Sequence, residues 1–440
     1  MLSGDFNLML RSILVILVMA CGLVLNFHSI AAQEVPPSSP DDIPEPAPLA
    51  DEHGYDLVNI LLLGSDTGHP SNIGRTDVIV IVSINRTAGT ISLLSLPRDL
   101  YVYIPGYRVY RINTAFGYGE QQGGAGQGGQ LLIDTIRYNL GLQIDHWARV
   151  NFNGFRRLID DLGGIEIAVD CGIQDWRLIE PGLDPTLEEN WQLFTLPVGM
   201  HTFDGDLALW YARSRNTSSD FDRGRRHQAI IRALWRRIQS LGLYDQIADV
   251  WPQVLENVTT DLELEDVIQL APLAASVDTS RLASYLLTPG HEVYSWRSPE
   301  GSSVQAIHRD NMMQLVERFL LPPTANQLIQ EHARIEIINA SGSADLDDVA
   351  ADRLSWEGFT PIIGPAAAST RERTVIYDFS GQQKGSSRAA LQTILRVPDS
   401  DVIIEPDGTS EYDFRVVIGT SYYACTYPVR PPRSDKLINP

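Results

Sequence analysis

Residues 211–228 read YARSRNTSSDFDRGRRHQ, and eight arginines with no lysine fall between Arg213 and Arg237. In a chain whose formal net charge is −21, this is a local reversal of sign. Guanidinium groups are planar, permanently charged forks that suit carboxylate and phosphate oxygens. A helix starting after Ser219 or Asp220, either of which can cap it, turns by about 100° per residue. Arg223 and His227 then share a stripe with Ile230, Ile231, Leu234, Ile238 and Leu241, the stripe that faces the protein body. They sit at its amino-terminal end, where free backbone N–H groups also favour an anion. Arg225, Arg232 and Arg236 fall on the opposite face and read as an ordinary basic surface.

Carboxylates stand at the ends of three short β segments. The apolar run 57–63 is closed by Gly64-Ser65-Asp66, Arg75-Thr76-Asp77 opens the run 78–84, and 90–96 ends in Pro97-Arg98-Asp99. Open α/β sheets bind ligands at the carboxyl ends of their strands. Convergence of Asp66, Asp77 and Arg98 would set two carboxylates for a hard cation such as Mg²⁺ beside an arginine. Taken singly, each is also a common turn residue. No Ser-His-Asp or Cys-His arrangement stands out.

The elements that must position these residues follow from patterning. Segments 78–84 and 90–96 suit a hairpin. Beyond them 146–152 reads as a strand, 154–162 as a helix and 164–169 as a strand, an alternation typical of α/β architecture. Residues 124–129 (GAGQGG) match the dinucleotide fingerprint formally, but no strand precedes them, so they read as a flexible loop before a helix at 131–140. Residues 175–191 read as an acidic loop, and 245–256 and 303–319 as amphipathic helices. Pro322-Pro323 marks a boundary. A second small α/β unit, 333–422, follows, with strands at 334–339, 374–378, 402–405 and 414–418 and helices at 346–357 and 387–395. The Pro-containing stretch 423–440 reads as a tail, loose from Tyr427.

At 440 residues the chain has room for two or three domains, and its acidic balance argues against non-specific nucleic-acid binding. Residues 1–32 carry Arg11 and an apolar run from Ile13 to Phe27, leaving a cleaved signal and an uncleaved anchor both open. The rest of the chain is expected to be extracytoplasmic, held at the membrane by its N-terminus or secreted. Residues 33–55 are an acidic linker, with six prolines between Gln33 and Leu49, extended and solvated. Outside the leader only Cys171 and Cys425 remain, compatible with a disulfide or with two buried thiols.

Taken together, NILLLGSD, RTDVIVIVSIN, ISLLSLPRDLYV, RINTAF, HWARVNFNGFRRLIDDLGGIEIAV, GMHTFDGDLALWYARSR and DFDRGRRHQ resemble the LytR–CpsA–Psr family of cell-wall glycopolymer transferases. Residues 334–419 resemble the small C-terminal domain that many members carry. The family's older label of transcriptional attenuator fits poorly with an exported acidic chain. The resemblance implies a mixed central sheet flanked by helices, residues 56–322 forming the catalytic domain, with a polyprenyl-pyrophosphate lipid in an apolar pocket. It implies Mg²⁺-assisted (or Mn²⁺-assisted) transfer of a phospho-linked glycopolymer from that carrier to peptidoglycan. Hydrolysis of the same lipid and non-catalytic binding of it are the alternatives. Asp66 and Asp77 match the metal carboxylates, and Arg75, Arg98, Arg213, Arg215 and Arg223 the pyrophosphate-binding arginines. Arg98, Arg223 and Asp77 are the residues implied for the chemical step, and Asp99 a structural motif position. The family usually has glutamine where this chain has His227. Histidine can still hydrogen-bond substrate there but titrates near neutral pH, and Gln228, about 100° round the helix, cannot simply replace it.

Overall fold

Leucine and β-branched side chains fill Leu57–Ser65 (β1), Thr76–Asn85 (β2) and Thr90–Ser95 (β3), which pair antiparallel in chain order. In the computed structural model, which describes residues 42–66, 74–323 and 326–427, they form the middle of a six-stranded sheet. His146–Val150 joins β1 in parallel and Leu282–Leu286 joins β3 in parallel, while Val258–Thr260 adds an antiparallel edge. The sheet is therefore mixed.

Successive side chains of a strand point to opposite faces, so β1 feeds two cores. Leu61 and Leu63 pack with Ile133, Ile136 and Phe319 from helices Gln127–Leu140 and Arg309–Leu320. Ile60 packs on the other face with Leu270 of helix Leu264–Ser276 and with Ile231 and Trp235 of helix Asp220–Ser240. That last helix also feeds a third core, where Ile230 and Ala233 meet Phe203, Tyr211 and Ile165. It is thus wedged between the sheet and a flanking layer.

The second unit is a five-stranded sheet in the order Ile362–Ile363, Ile335–Asn339, Phe414–Ile418, Val375–Asp378, Val402–Ile404. Helices Leu346–Ser355 and Gly385–Leu395 cover a core of Ile337, Leu354, Leu391 and Val416. All four expected strands and both helices of this unit lie where the pattern placed them, within two residues at each end.

Other expectations are overturned. Residues 124–129 are not a loose loop: helix Ala115–Gly123 ends there and Gln127–Leu140 begins, with Gly124 and Gly126 at positive φ in the turn. Gly128 and Gly129 lie inside the second helix because a Cβ on Gly129 would sit 2.3 Å from the Trp147 indole. The glycines serve close packing. Within 175–191 the acidic stretch begins and ends as strand, since Ile173–Leu178 and Trp191–Leu196 pair as an antiparallel hairpin. Residues 303–319 split into strand Ser303–Ile307 and helix Arg309–Leu320, because the first five residues pair with Val293–Arg297. Among the described residues the strand Ile165–Val169 pairs only with Gly199–Phe203, outside the central sheet.

Part of the expected solvated linker is docked. Ala47 is buried and its N–H donates to the Tyr138 carbonyl, the Tyr138 hydroxyl donates to the Pro44 carbonyl, and Arg309 donates to those of Glu45 and Pro46. The leader and the stretch after Tyr427 lie outside the described residues. Cys425, expected in the tail, forms a disulfide with Cys171, and the neighbouring Thr426 bonds Asp170, so residues 423–427 belong to a junction between the two units. Among the described residues no helix is long and apolar enough to cross a membrane.

Candidate functional site

β1 ends and β2 begins on the same side of the sheet, which brings Asp66 and Asp77 to one rim. The backbone links them: the Asp66 N–H donates to the Arg75 carbonyl at 3.0 Å, and the Arg75 N–H donates to Asp66 Oδ1 at 2.7 Å. β3 then delivers Arg98, whose Nη1 donates to Asp77 Oδ2 at 2.8 Å. Asn113 Nδ2 donates to Asp77 Oδ1 at 3.1 Å, and Arg215 Nη2 lies 3.7 Å from Oδ2. Burial pushes the Asp77 carboxyl up, but Arg98, Asn113 and Arg215 outweigh it and hold it below the usual aspartate value. Asp99 ties to Arg98 and Arg111, a bracing role.

Opposite this rim stands the start of helix Asp220–Ser240. Ser219 caps it by accepting the Asp222 N–H at 3.0 Å. Arg223 is buried and pairs with Asp220 at 2.8 Å. Burial, with Arg215, Arg98 and Arg226 nearby, pushes its guanidinium down to about 10, so it stays charged at neutral pH. Arg213, at the end of helix Gly205–Arg213, lies over the Phe152 ring at 4.5 Å. Burial and then Arg156 and Arg215 lower its pKa, and burial and then Arg98 lower that of Arg215. The pattern is one of crowded positive charge that an oxyanion would relieve.

All eight candidates, Asp66, Arg75, Asp77, Arg98, Arg213, Arg215, Arg223 and His227, border one cavity of about 660 Å³. Asp66, Arg75, Asp77 and Arg98 of its lining stand at strand ends, and Phe155, Leu158, Trp210, Ile231, Leu234 and Val258 supply apolar wall. The shape suits a long apolar chain with a polyanionic head. Asp66 and Asp77 bring two carboxylates to the same cavity; among the described residues no group of three or more His, Cys, Asp or Glu is gathered as a metal cage. Two carboxylates leave most of an octahedral shell to phosphate oxygens and water, the donor set that Mg²⁺ ordinarily takes.

A family model for the LytR_cpsA_psr family matches residues 29–319. The chain belongs to the LytR–CpsA–Psr family. A second model, described as LytR cell envelope-related transcriptional attenuator, matches residues 332–422. A Bacillus subtilis relative, polyisoprenyl-teichoic acid–peptidoglycan teichoic acid transferase TagT, is 32% identical over 253 residues, 55% of this chain and 72% of that one. The probable cell wall biosynthesis protein LcpB of Corynebacterium glutamicum is 32% identical over 236 residues, half of this chain and 51% of that one. The crystal structure of B. subtilis TagT aligns at a TM-score of 0.45, with 26% identity over 64% of this chain and 98% of that one.

Against the usual glutamine of LytR–CpsA–Psr members, His227 behaves differently from the sequence expectation. Its Nε2 lies 3.0 Å from the Ala212 carbonyl oxygen, the geometry of an Nε2–H donor. Burial, with Arg223 beside it, pushes its pKa down to about 3. The ring is neutral at physiological pH because a proton would be placed in a dry site beside a guanidinium. Gln228 faces away, donating to Ser95 and to the Tyr285 carbonyl.

Several residues at this LytR–CpsA–Psr site escaped the sequence reading. Arg226 is buried and donates to the carbonyls of Tyr211 and Ser214, to the Ser218 hydroxyl and to Asp222. It fastens the turn that carries Arg213 and Arg215. At 100° per residue it lies only 60° from Arg223, so the helical pattern did hold a signal for it. Asp175 accepts the N–H groups of Arg215 and Asn216, fixing the same turn from the hairpin side. Asn113 and the cavity-lining Arg149 had no such signal, since only the fold brings them to the rim.

The outer arginines contradict the surface reading. Arg232 is 1% exposed and donates to the carbonyl and hydroxyl of Ser355. Arg225 lies over the Trp356 ring, and Arg236 donates to Asp352 at 3.3 Å. The second domain covers this face, which no local pattern could announce.

Proposed function

We propose that this chain transfers a phospho-linked glycopolymer from a polyprenyl-pyrophosphate carrier to a hydroxyl of peptidoglycan. The observation that carries the reading is the joining of an apolar cavity to a rim of four arginines, Arg98, Arg213, Arg215 and Arg223, facing two carboxylates. The reaction class is also that named for the B. subtilis relative.

In the proposed mechanism the polyprenyl tail occupies the apolar walls and the arginines hold the pyrophosphate oxygens. The acceptor hydroxyl attacks the sugar-linked phosphorus, and the P–O bond to the inner phosphate breaks. The carrier leaves as polyprenyl monophosphate, its new charge stabilised by the arginines. The hydroxyl proton passes to a carboxylate of the Asp66 and Asp77 pair. Phosphoryl transfer depends chiefly on positioning and charge stabilisation, which is what Arg226 and Asp175 secure by fixing the Arg213–Arg215 turn. Mg²⁺, or Mn²⁺ in its place, held by Asp66 and Asp77, would neutralise phosphate charge. Arg75, bonded to Asp66, orients that carboxylate. His227, neutral and occupied by Ala212, packs beside Arg223 as a spacer.

The test incubates the full chain with a polyprenyl-pyrophosphate oligosaccharide, Mg²⁺ and short peptidoglycan strands, and reads products by mass spectrometry. Sugar phosphate joined to the glycan, lost in Arg98→Ala and on chelation of the metal, is the expected result. Free sugar phosphate alone would show a hydrolase, and intact bound lipid a binding protein.

A further inference from the structure

Helix Asp220–Ser240 borders the cavity along Arg223, His227, Ile230, Ile231 and Leu234. Ile230, Ile231 and Ala233 anchor the middle of this helix in two cores, but around Arg223 the cavity replaces packed atoms. The opposite side meets a single turn of the second domain, beside Asp170 and Ser284 of the first, which contact Arg225 and Arg232. Trp356 lies with its ring 3.8 Å from the Arg225 guanidinium carbon and 4.7 Å from that of Arg232. Its indole N–H donates to Asp352, whose other oxygen accepts from Arg236. Residues 352–356 thus grip three arginines spread along three turns of the helix. We propose that the second domain is a brace for the phosphate-binding helix, with Trp356 as the positioning residue that sets Arg223 at the cavity rim.

A domain carried along passively has no need of such contacts. Removing a guanidinium from water is costly unless its donors are met, yet Arg232 is buried with Ser355 and the Trp356 ring as its partners from that domain. The junction is tied independently by the Cys171–Cys425 disulfide, which joins residues 254 apart in sequence. Beside it Ala168 and Met200 of the first domain pack on Val349, Tyr422 and Ala424 of the second. Small displacements of a positioning group slow a reaction steeply, a shift of about 1 Å costing up to ~100-fold in rate.

The inference rests on the reading of Arg223 as a phosphate-binding group. The test uses the full chain and geranylgeranyl pyrophosphate as probe, with affinity measured by calorimetry for the wild type, Trp356→Ala and Trp356→Phe. Trp356→Ala is expected to bind about tenfold more weakly, the scale of one impaired charge-assisted hydrogen bond, with its circular dichroism and disulfide intact, and Trp356→Phe, which keeps a ring, to recover most of the loss. Equal binding by Trp356→Ala overturns the brace alone. Failure of the wild type to bind overturns the site reading and the brace with it. Should Trp356→Ala not fold, Asp352→Asn loosens the same turn while keeping the ring; a smaller loss supports the brace and unchanged affinity overturns it.

Discussion

Arg98 donates to the Asp77 carboxylate at 2.8 Å across the rim where β2 begins and β3 ends. The contact joins the central acid of the site to an arginine of the proposed substrate cradle. Asp77→Asn keeps the size of the side chain but removes the charge opposing Arg98 and Arg215. Transfer is expected to fall by about 100-fold or more, with a melting temperature within a few degrees of wild type. A large fall in melting temperature would mark Asp77 as structural. The folded carboxyl is held below its ordinary value, so its contribution to stability is present above about pH 4 and is lost as pH falls through the folded value. Acid unfolding curves of Asp77→Asn should lack that part.

His227 is a base where Asp77 is an acid, yet its pKa is displaced in the same direction. Its folded pKa, about 3, lies below that of an unfolded histidine, about 6.5. The unfolded chain therefore takes up a proton that the folded chain refuses, and stability declines as pH falls below about 6.5. His227→Gln, with an amide N–H to offer Ala212, is expected to flatten that decline. Probe affinity should be nearly unchanged between pH 6 and 8, read by calorimetry and thermal melts. A wild-type affinity step near pH 6.5 that vanishes in His227→Gln would refute the neutral ring.

Arg226 spans acceptors on Tyr211, Ser214, Ser218 and Asp222 with one guanidinium. Lysine cannot reach them all, so Arg226→Lys strands buried carbonyls. The expected cost is about 1–3 kcal/mol, the range for leaving a buried acceptor without its donor, measured by urea unfolding. Transfer should fall along with stability as the Arg213–Arg215 turn loosens.

Gly129→Ala separates helix propensity from packing. Propensity favours alanine by about 1 kcal/mol, but the added Cβ would meet the buried Trp147 indole at 2.3 Å. Overpacking of about 1–3 kcal/mol should win, giving net destabilisation in chemical denaturation. A gain in stability would show that the helix can shift to admit the methyl.

Local pattern by itself determined much of this protein. Apolar runs punctuated by turn residues marked β1 to β3, because strand burial writes itself into consecutive residues. Helical periodicity put Arg223 and His227 on the inward stripe of a helix capped at Ser219, and the order of motifs carried the family. Tertiary structure decided the rest, for reasons of distance along the chain. The acidic stretch became a hairpin because Ile173–Leu178 found a partner in Trp191–Leu196. Arg225, Arg232 and Arg236 looked like a solvated face until a domain more than a hundred residues away covered them with Ser355, Trp356 and Asp352. His227 lost its titration near neutrality because burial and Arg223 act through space. Charge and periodicity are properties of neighbours in sequence, whereas desolvation and pairing are set by neighbours in the fold.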